Sequence, residues 1–315
     1  MPLVTIVIPT HNRKSMVVRL LKSIFAGTYK NIETIVIDDV STDGTSVTLK
    51  KMFPSVQLFR NKTSLYTAGS RNKGLQKAKG KYIFFIDDDN VVEKNAIQIL
   101  VNQFEKDEHI GELGLVNYSF LDKEKIIWVC TKRNMTTTKT YQPRSLKEFH
   151  GKKIWDTADV PNAFMVRMSV LKAHNIFFDA KFEIMYEESD FAYRIRDAGF
   201  SVKVVRDAKI YHDIENSLQG KKQLDYMYHF MNSIRRPFVF ARNRIVFHAK
   251  YSSGFALVGI YFFWIWFFTA YYAYKIFFYS GVGNFSFIRR FYLVFQYING
   301  DFNGLYLVAT HKPYN

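Results

Sequence analysis

From Leu3 to Asp89 the chain alternates short β-branched runs with stretches whose apolar residues recur at helical intervals. "LVTIVI" (Leu3–Ile8) is a continuous apolar run, as expected for a strand buried on both faces. "SMVVRLLKSIFA" then sets Val18, Leu21 and Phe25 on one helical face. "ETIVIDD" (Glu33–Asp39) reads as a second strand and "DGTSVTLKKMF" opens a second helix. "VQLF" is a third strand, "SRNKGLQKAKG" a third helix and "YIFFIDDD" a fourth strand. Alternation with short connections predicts an α/β fold: a mostly parallel sheet with helices on both faces. Ligands of such sheets bind beyond the carboxyl ends of the strands. Those ends carry His11, Asp39 and the run Asp87, Asp88 and Asp89.

Three adjacent carboxylates repel one another and resist desolvation. The bland reading is a solvated acidic turn. Against it, four apolar residues, Ile83 to Ile86, run directly into the acids, so a cation is expected at that strand end.

The region from Glu105 to Pro161 has a weak pattern, with "LGLVNYSF", "KIIWVCTKR" and a polar loop, "NMTTTKTYQPRS". Clearer texture returns with "NAFMVRMSVLKAH" and with "EESDFAYRIRDAGF", a helix ended by Gly199. A strand "SVKVV" and the segment "AKIYHD" follow.

After Asp213 the composition shifts. Residues 235–250, "RRPFVFARNRIVFHAK", interleave Arg and Lys with aromatics, and Phe255–Tyr274 then carries no charged residue. Twenty residues at about 1.5 Å rise match the roughly 30 Å hydrocarbon core of a bilayer. A buried core helix is the alternative, but such a helix rarely lacks a polar face over five turns. A membrane-embedded helix is therefore expected, with an in-plane pose as the other option. The basic cluster before it would face the cytosol. The last segment, "FIRRFYLVFQYINGDFNGLYLVAT", is amphipathic and interrupted by Gly300, Asp301 and Gly304, and reads as interfacial. The expected division is a catalytic domain at 1–215, a basic linker at 216–250 and membrane-associated helices at 251–315.

Lys and Arg outnumber Asp and Glu by 44 to 28, a net charge of +16. That surplus points to an anionic partner or, more blandly, to surface lysines. Cys130 is the only cysteine, which excludes an internal disulfide and argues against a cysteine-built zinc site. "MPLVTIVIPTHNR" lacks the basic region and apolar length of a signal peptide, so the first domain is expected to stay on the cytoplasmic side of a membrane.

Taken together, "TIVIPTHNR", "IVIDDVSTDGT", "AGSRNKGLQKAKGKYIFFIDDDN" and "FFDAKFEIMYEESDFAYRIRDAGF" resemble the family 2 glycosyltransferases. The match runs in order from about Pro2 to Asp213. "YEESD" with its following Arg and Ala-Gly, then "YHDIENS" and Arg242-Asn243, resemble the rhamnosyltransferase-type branch, which commonly carries a C-terminal membrane segment. The resemblance implies a GT-A fold, a nucleoside-diphosphate sugar donor and a divalent metal, Mn²⁺ or Mg²⁺. It implies that Asp87 and Asp89 flank the metal, with His212 of "IYHD" completing its shell. Carboxylate oxygen suits both ions, and an imidazole shifts preference toward Mn²⁺. By the same resemblance Asp88 faces the ribose or amide groups, Asp39 accepts from the base, His11 stacks on it and Arg71 lies near base and phosphate. Pro9 fixes the loop between them. The bland alternatives are a structural histidine, helix caps and turns, and a surface arginine.

Inversion at an anomeric carbon needs a proton acceptor for the attacking hydroxyl. The family supplies it from a Glu-Asp pair at a helix start; this chain has Glu187-Glu188 followed by Asp190. Glu188 is the favoured base, with Glu187 and Asp190 as competitors. Asp190 stands four residues before Arg194, so an intrahelical ion pair competes for it. The acceptor implied is a membrane-borne, lipid-linked glycan. Two other readings are a polyprenyl-phosphate glycosyltransferase, whose anionic acceptor needs no base, and a non-catalytic basic membrane or nucleic-acid binder. The last leaves Asp87–Asp89 and Glu187–Asp190 without a role, so no nucleic-acid partner is expected.

Overall fold

A computed structural model describes residues 1–213, 226–280 and 285–310. The end of the "YHDIENS" match and most of the N-terminal part of the expected linker (214–225) lie outside the described residues. The chain divides into two compact units. One comprises Met1–Lys132, Gln142–Glu183 and Glu187–Ile214; the other comprises Arg133–Tyr141, Ile184–Tyr186 and Glu215–Asn315.

The first unit opens with the expected alternation: β1 (Val4–Thr10), α1 (Lys14–Phe25), β2 (Ile32–Asp38), α2 (Thr45–Met52), β3 (Gln57–Arg60), α3 (Tyr66–Lys77) and β4 (Tyr82–Ile86). β1 pairs in parallel with both β2 and β4, and β2 with β3. A short β5 (Asn90–Val92) and α4 (Ala96–Phe104) lead to β6 (Ile110–Ser119) and β7 (Ile126–Trp128). β8 (Lys132–Arg133) and β9 (Thr140–Tyr141), which apart from Lys132 belong to the second unit, form a separate two-stranded ribbon. β10 (Ile154–Asp156), β11 (Ala163–Arg167), α5 (Met168–Ala173), α6 (Glu187–Asp197) and β12 (Ser201–His212) complete the unit.

The main sheet runs β10-β12-β6-β11-β4-β1-β2-β3. β11 lies antiparallel between β4 and β6, whereas β12 runs parallel to β6. "SVKVV" and "AKIYHD" are one strand with a register shift between Val205 and Lys209, not two segments. Both faces of the sheet are buried, which is why its central strands are unbroken apolar runs. Val4, Ile6, Ile8 and Phe84 pack with Leu20, Leu21 and Ile24 of α1 and Leu100 of α4. On the opposite face Val7 and Phe85 join Phe164, Phe178 and Phe191, with Phe178 and Phe191 stacked at 4.2 Å between ring centroids. Gly199 follows α6 at φ +88°, a left-handed position that ends the helix at no side-chain cost.

The second unit is helical: α7 (Tyr226–Met231), α8 (Arg235–Tyr251), α9 (Phe255–Phe277) and α10 (Phe287–Ala309). α9 is one helix long and apolar enough to cross a membrane, and only 11% of its most apolar window is buried. α9 and α10 pair antiparallel, with Thr269 donating to Asp301 at 2.6 Å, Tyr272 stacked on Tyr297 at 5.2 Å and Phe277 near Phe287 at 5.8 Å. Gly300 and Gly304 do not interrupt α10. A Cβ at Gly300 would stand 2.2 Å from the Phe238 carbonyl oxygen, and one at Gly304 would stand 3.0 Å from that of Arg242. The glycines instead admit the backbone of α8. Arg244 of α8 and Asp301 of α10 pair in this buried seam at 3.3 Å.

Candidate active site

The strand ends collect the acids. Thr10, at the end of β1, donates its hydroxyl to Asp88 Oδ2 at 2.6 Å. Arg13, three residues on, donates one guanidinium nitrogen to both Asp88 Oδ1 (2.9 Å) and Asp89 Oδ2 (3.0 Å). The cation anticipated at the aspartate run is thus, in this structure, a side chain from the preceding loop. Asp89 also faces His212, whose Nε2 lies 3.4 Å from Oδ1. β12 and β5 position that contact, because their antiparallel register sets His212 opposite Asn90.

Asp87 turns the other way. Its Oδ1 accepts from Arg71 at 2.7 Å, and the same Arg71 nitrogen donates to Glu188 Oε1 at 2.8 Å. Glu187 is 3.9 Å from the second terminal nitrogen of Arg71. Arg71 is fully buried, and the side chains of Asp87 and Glu188 retain 28% and 20% of their exposure. One guanidinium on α3 therefore ties the end of β4 to the start of α6, positions more than a hundred residues apart in sequence. Asn162 adds a second tie: its backbone N–H donates to Glu188 Oε1 at 3.0 Å, and its side-chain amide meets His212 Nδ1 at 3.1 Å. Its φ of +66° is one asparagine adopts more readily than most residues.

The electrostatics follow from burial. Burial, reinforced by neighbouring Glu188 and opposed by Arg71, pushes Glu187 up to about 8. Glu188 is also raised, by burial first, with Arg71 opposing and Asp87 adding to the rise. Burial lifts Asp88 to about 7 despite the pull of Arg13. Asp89 lies below the ordinary carboxylate value: burial alone would raise it, but the charges of His212 and Arg13 and the His212 hydrogen bond outweigh that. His212 moves oppositely, its burial outweighed by Asp89, and sits above the usual imidazole value. Acids of split pKa in one place are what general acid–base chemistry uses.

The remaining expected residues lie nearby along the chain but have other partners. Asp39 is buried and accepts four hydrogen bonds: from Asn61 Nδ2, Ser64 Oγ and the backbone N–H groups of Leu65 and Tyr66, at 2.7 to 3.1 Å. Here it organises the loop entering α3, and a base would have to compete for those oxygens. His11 is exposed, with Nδ1 2.5 Å from the Asp39 carbonyl. Pro9 lies within β1, opposite Ile37. Asp190 is fully buried and accepts from Arg194 Nε at 2.8 Å, the intrahelical pair that its spacing anticipates.

Arg13, Thr10 and Asn162 were not singled out in the sequence. Arg13 stands inside the quoted "PTHNR". A cation so close to a strand end in a chain with an acidic run at another strand end was a usable signal; Asn162 offered none. Glu112 of β6 was also missed: it is buried, neither carboxylate oxygen has a hydrogen-bond partner among the described residues, and burial holds it well above the usual carboxylate value.

A divalent metal fits the donor set at one place. Asp89 and His212 offer an oxygen and a nitrogen ligand side by side, and the guanidinium already bridging Asp88 and Asp89 marks the spot as one that holds positive charge. Among the described residues no group of three or more His, Cys, Asp and Glu side chains converges to hold an ion. The other ligands would have to come from substrate phosphate and water, as is common for Mg²⁺ sites.

A strand-ended acidic site on a sheet of this order defines a class, and comparison with known proteins agrees. Residues 5–174, just over half of the chain, match the family model described as glycosyl transferase family 2, and the chain belongs to that family. An uncharacterized glycosyltransferase of Haemophilus influenzae is 33% identical over 127 residues, covering 39% of this chain and 50% of that protein. Glycosyltransferase GlyG of Streptococcus pneumoniae is 32% identical over 124 residues, covering 38% and 41%. The matches span half or less of these curated relatives' own length.

Among solved structures, the mannosyltransferase PcManGT from Pyrobaculum calidifontis, in complex with GDP-Man and Mn²⁺, superposes with a TM-score of 0.60 at 15% identity, covering 97% of this chain and 87% of that one. TarS 1–349 of S. aureus, in complex with UDP-GlcNAc, gives 0.57 at 17% identity, covering 94% and 79%. At these identities the likeness is one of fold, and the fold is GT-A.

Proposed function

We propose that the chain is a metal-dependent, inverting glycosyltransferase that moves a sugar from a nucleoside-diphosphate donor to a hydroxyl of a membrane-borne, lipid-linked glycan, with its catalytic unit on the cytoplasmic face. One observation carries this reading: Arg71 joins Asp87 and Glu188, at 2.7 and 2.8 Å, into a single acidic site beside Asp89 and His212. Family membership and the donors in the complexes of PcManGT and TarS support a nucleotide-sugar substrate.

Asp89 and His212 would hold the metal, which when bound offsets the charge developing on the departing diphosphate. The chain's own groups do the rest. Asp88, whose two oxygens accept from Thr10 and Arg13, would meet the ribose by exchanging one of these partners. Asp39 and His11 border the base, and Pro9 shapes the strand end between them. Glu188 is the proton acceptor: burial raises its pKa and so strengthens it as a base, and its side chain is partly open. As the acceptor oxygen bonds to the anomeric carbon, the bond from that carbon to the diphosphate oxygen breaks with its electron pair, and the hydroxyl proton passes to Glu188. Glu187, raised to about 8 and with its side chain nearly closed off, and Asp190, engaged by Arg194, are weaker claimants. A lipid-phosphate acceptor would be anionic already and would leave so placed a base without a purpose. The exposed apolar face of α9 supports a membrane location.

Purified protein given a panel of nucleotide sugars with Mn²⁺ or Mg²⁺ should release nucleoside diphosphate from at least one. Asp89→Ala and Glu188→Gln should each lose transfer while retaining a cooperative melting transition, lowered by the lost ion pairs. Undiminished transfer in both folded variants would remove the mechanism.

A further inference from the structure

We infer that α9 and α10 form an antiparallel hairpin lying flat in one leaflet of a bilayer with anionic headgroups, rather than crossing it. This deepens the membrane location of the proposed function and rests on that reading.

The two helices are inverted in polarity. On α9, Phe255, Phe262, Trp266 and Tyr274 are exposed, while Ile260, Ile265 and Ile276 turn inward. On α10, Phe287, Ile288, Phe291 and Phe302 are exposed, while Asp301 and both interhelical glycines are buried. The large exposed side chains of both helices are thus mostly aromatic or aliphatic, with Lys275 the exposed cation of α9, while Asp301 turns to Arg244 of α8 and Arg290 is engaged by the carbonyls of Ile276 and Phe277. A contiguous exposed aromatic surface of this kind calls for a nonaqueous partner.

The pose follows from α8. Gly300 meets Phe238 and Ala241, Gly304 meets Arg242 and Ile245, and Ile245 clusters with Leu305 and Val308. Residue numbers rise together, so α8 runs alongside α10 in the same direction. Its charged residues are spread over its length, with Arg235 and Arg236 at the start, Arg242 and Arg244 in the middle and Lys250 at the end. A spanning α10 would carry that whole helix to the depth of the hydrocarbon, an unfavourable environment for so many cations. A flat hairpin submerges only its aromatic face and keeps α8 at headgroup level or above. Charge agrees with the choice of surface: between residues 226 and 309 the sequence has eight Lys and Arg and a single acid, Asp301.

The test uses the full chain expressed in bacteria, as single-site variants Ser253→Cys and Ser280→Cys. Both serines are exposed and flank α9. The native Cys130 is buried and its thiol is pushed up to about 11, so it serves as the unreactive blank. Sealed vesicles with the cytosolic face outward are treated with a membrane-impermeant maleimide. A flat hairpin labels equally at both positions before detergent is added. Labelling at one position only, with the other protected until detergent, means a spanning helix and overturns the inference while leaving the membrane location intact. Protein that remains in the soluble fraction defeats the membrane reading itself; a soluble dimer there would assign the aromatic face to a second copy. With purified protein, flotation on phosphatidylglycerol-containing vesicles should exceed that on pure phosphatidylcholine severalfold, and Phe262→Glu should lower it at least tenfold. Equal flotation on both lipids, or none lost in Phe262→Glu, contradicts the proposed surface.

Discussion

Replacing Arg71 by Met removes the cation that, among the described residues, Asp87, Glu188 and Glu187 share. The guanidinium is fully buried, donates at 2.7 and 2.8 Å, and lies 5.5 and 5.4 Å from the ring centroids of Phe164 and Phe178. Met retains most of the apolar contact with those rings, so the cost isolates the charge. Removing one partner of a buried ion pair costs about 3–5 kcal/mol, because the other charge is left uncompensated. Part of that cost depends on pH. Arg71 opposes the rise in pKa of both glutamates, so its loss raises their folded-state values further. A carboxyl raised in the folded state contributes stability that is fully present below its unfolded pKa, about 4.3, and is lost as pH rises through the folded value. Wild-type Glu187 is already at about 8. Each glutamate adds to the deficit only above its wild-type folded value, so the deficit of Arg71→Met should be smaller near pH 5 than at pH 8.5, where the Glu187 part is still growing. Urea unfolding of both proteins at the two pH values measures it. A loss under about 1 kcal/mol at pH 8.5, or a deficit larger at pH 5 than at 8.5, would refute the electrostatic account of the site.

Other expectations concern separate parts of the molecule. Transfer by the wild type should rise with pH along a limb set above the ordinary glutamate value, since Glu188 must be ionised to accept a proton; Glu188→Gln should abolish that limb and slow transfer by roughly 10²–10⁴-fold, with donor affinity little changed in a binding titration. Gly300→Val forces a side chain into the Phe238 carbonyl and should destabilise the helical unit by at least about 1–3 kcal/mol in thermal melts. Asn243→Ala strips hydrogen bonds from the carbonyls of Ile184 and Met185, in a loop where Glu183, Met185 and Tyr186 all have positive φ; a loss of about 1–3 kcal/mol and faster proteolytic nicking there are expected. Chelation with EDTA should stop transfer, and Mn²⁺ should restore it in wild type but not in Asp89→Ala.

The strands and helices up to Asp89 were legible because each is a local pattern: a β-branched run, a helical spacing, a turn. The placing of β11 between β4 and β6 was not, because antiparallel insertion into a parallel sheet depends on pairing between residues far apart, and "AFMVR" would suit either direction. β12 read as two pieces because its register shift interrupts the pattern around Arg206–Ala208. Gly300 and Gly304 read as breaks since glycine disfavours a helix in isolation; packing against α8 overrides that preference. In the site, the acids themselves stood out, as did the Asp190–Arg194 pair. What each acid touches did not: Arg71 and Arg13 each face carboxylates more than seventy residues away in the sequence for Asp88 and Glu188 alike, and no spacing rule connects them.

The central claim is that acids from distant parts of the chain form one donor site around a single dication. Anomalous diffraction from crystals soaked with Mn²⁺ and a nucleoside diphosphate tests it most directly. The account predicts a manganese peak bound by Asp89 and His212, the diphosphate against it, Arg13 displaced from Asp89, and the Glu188 carboxylate facing the same cleft. A manganese peak and diphosphate lodged away from Asp89, with Glu188 turned from them, would contradict it.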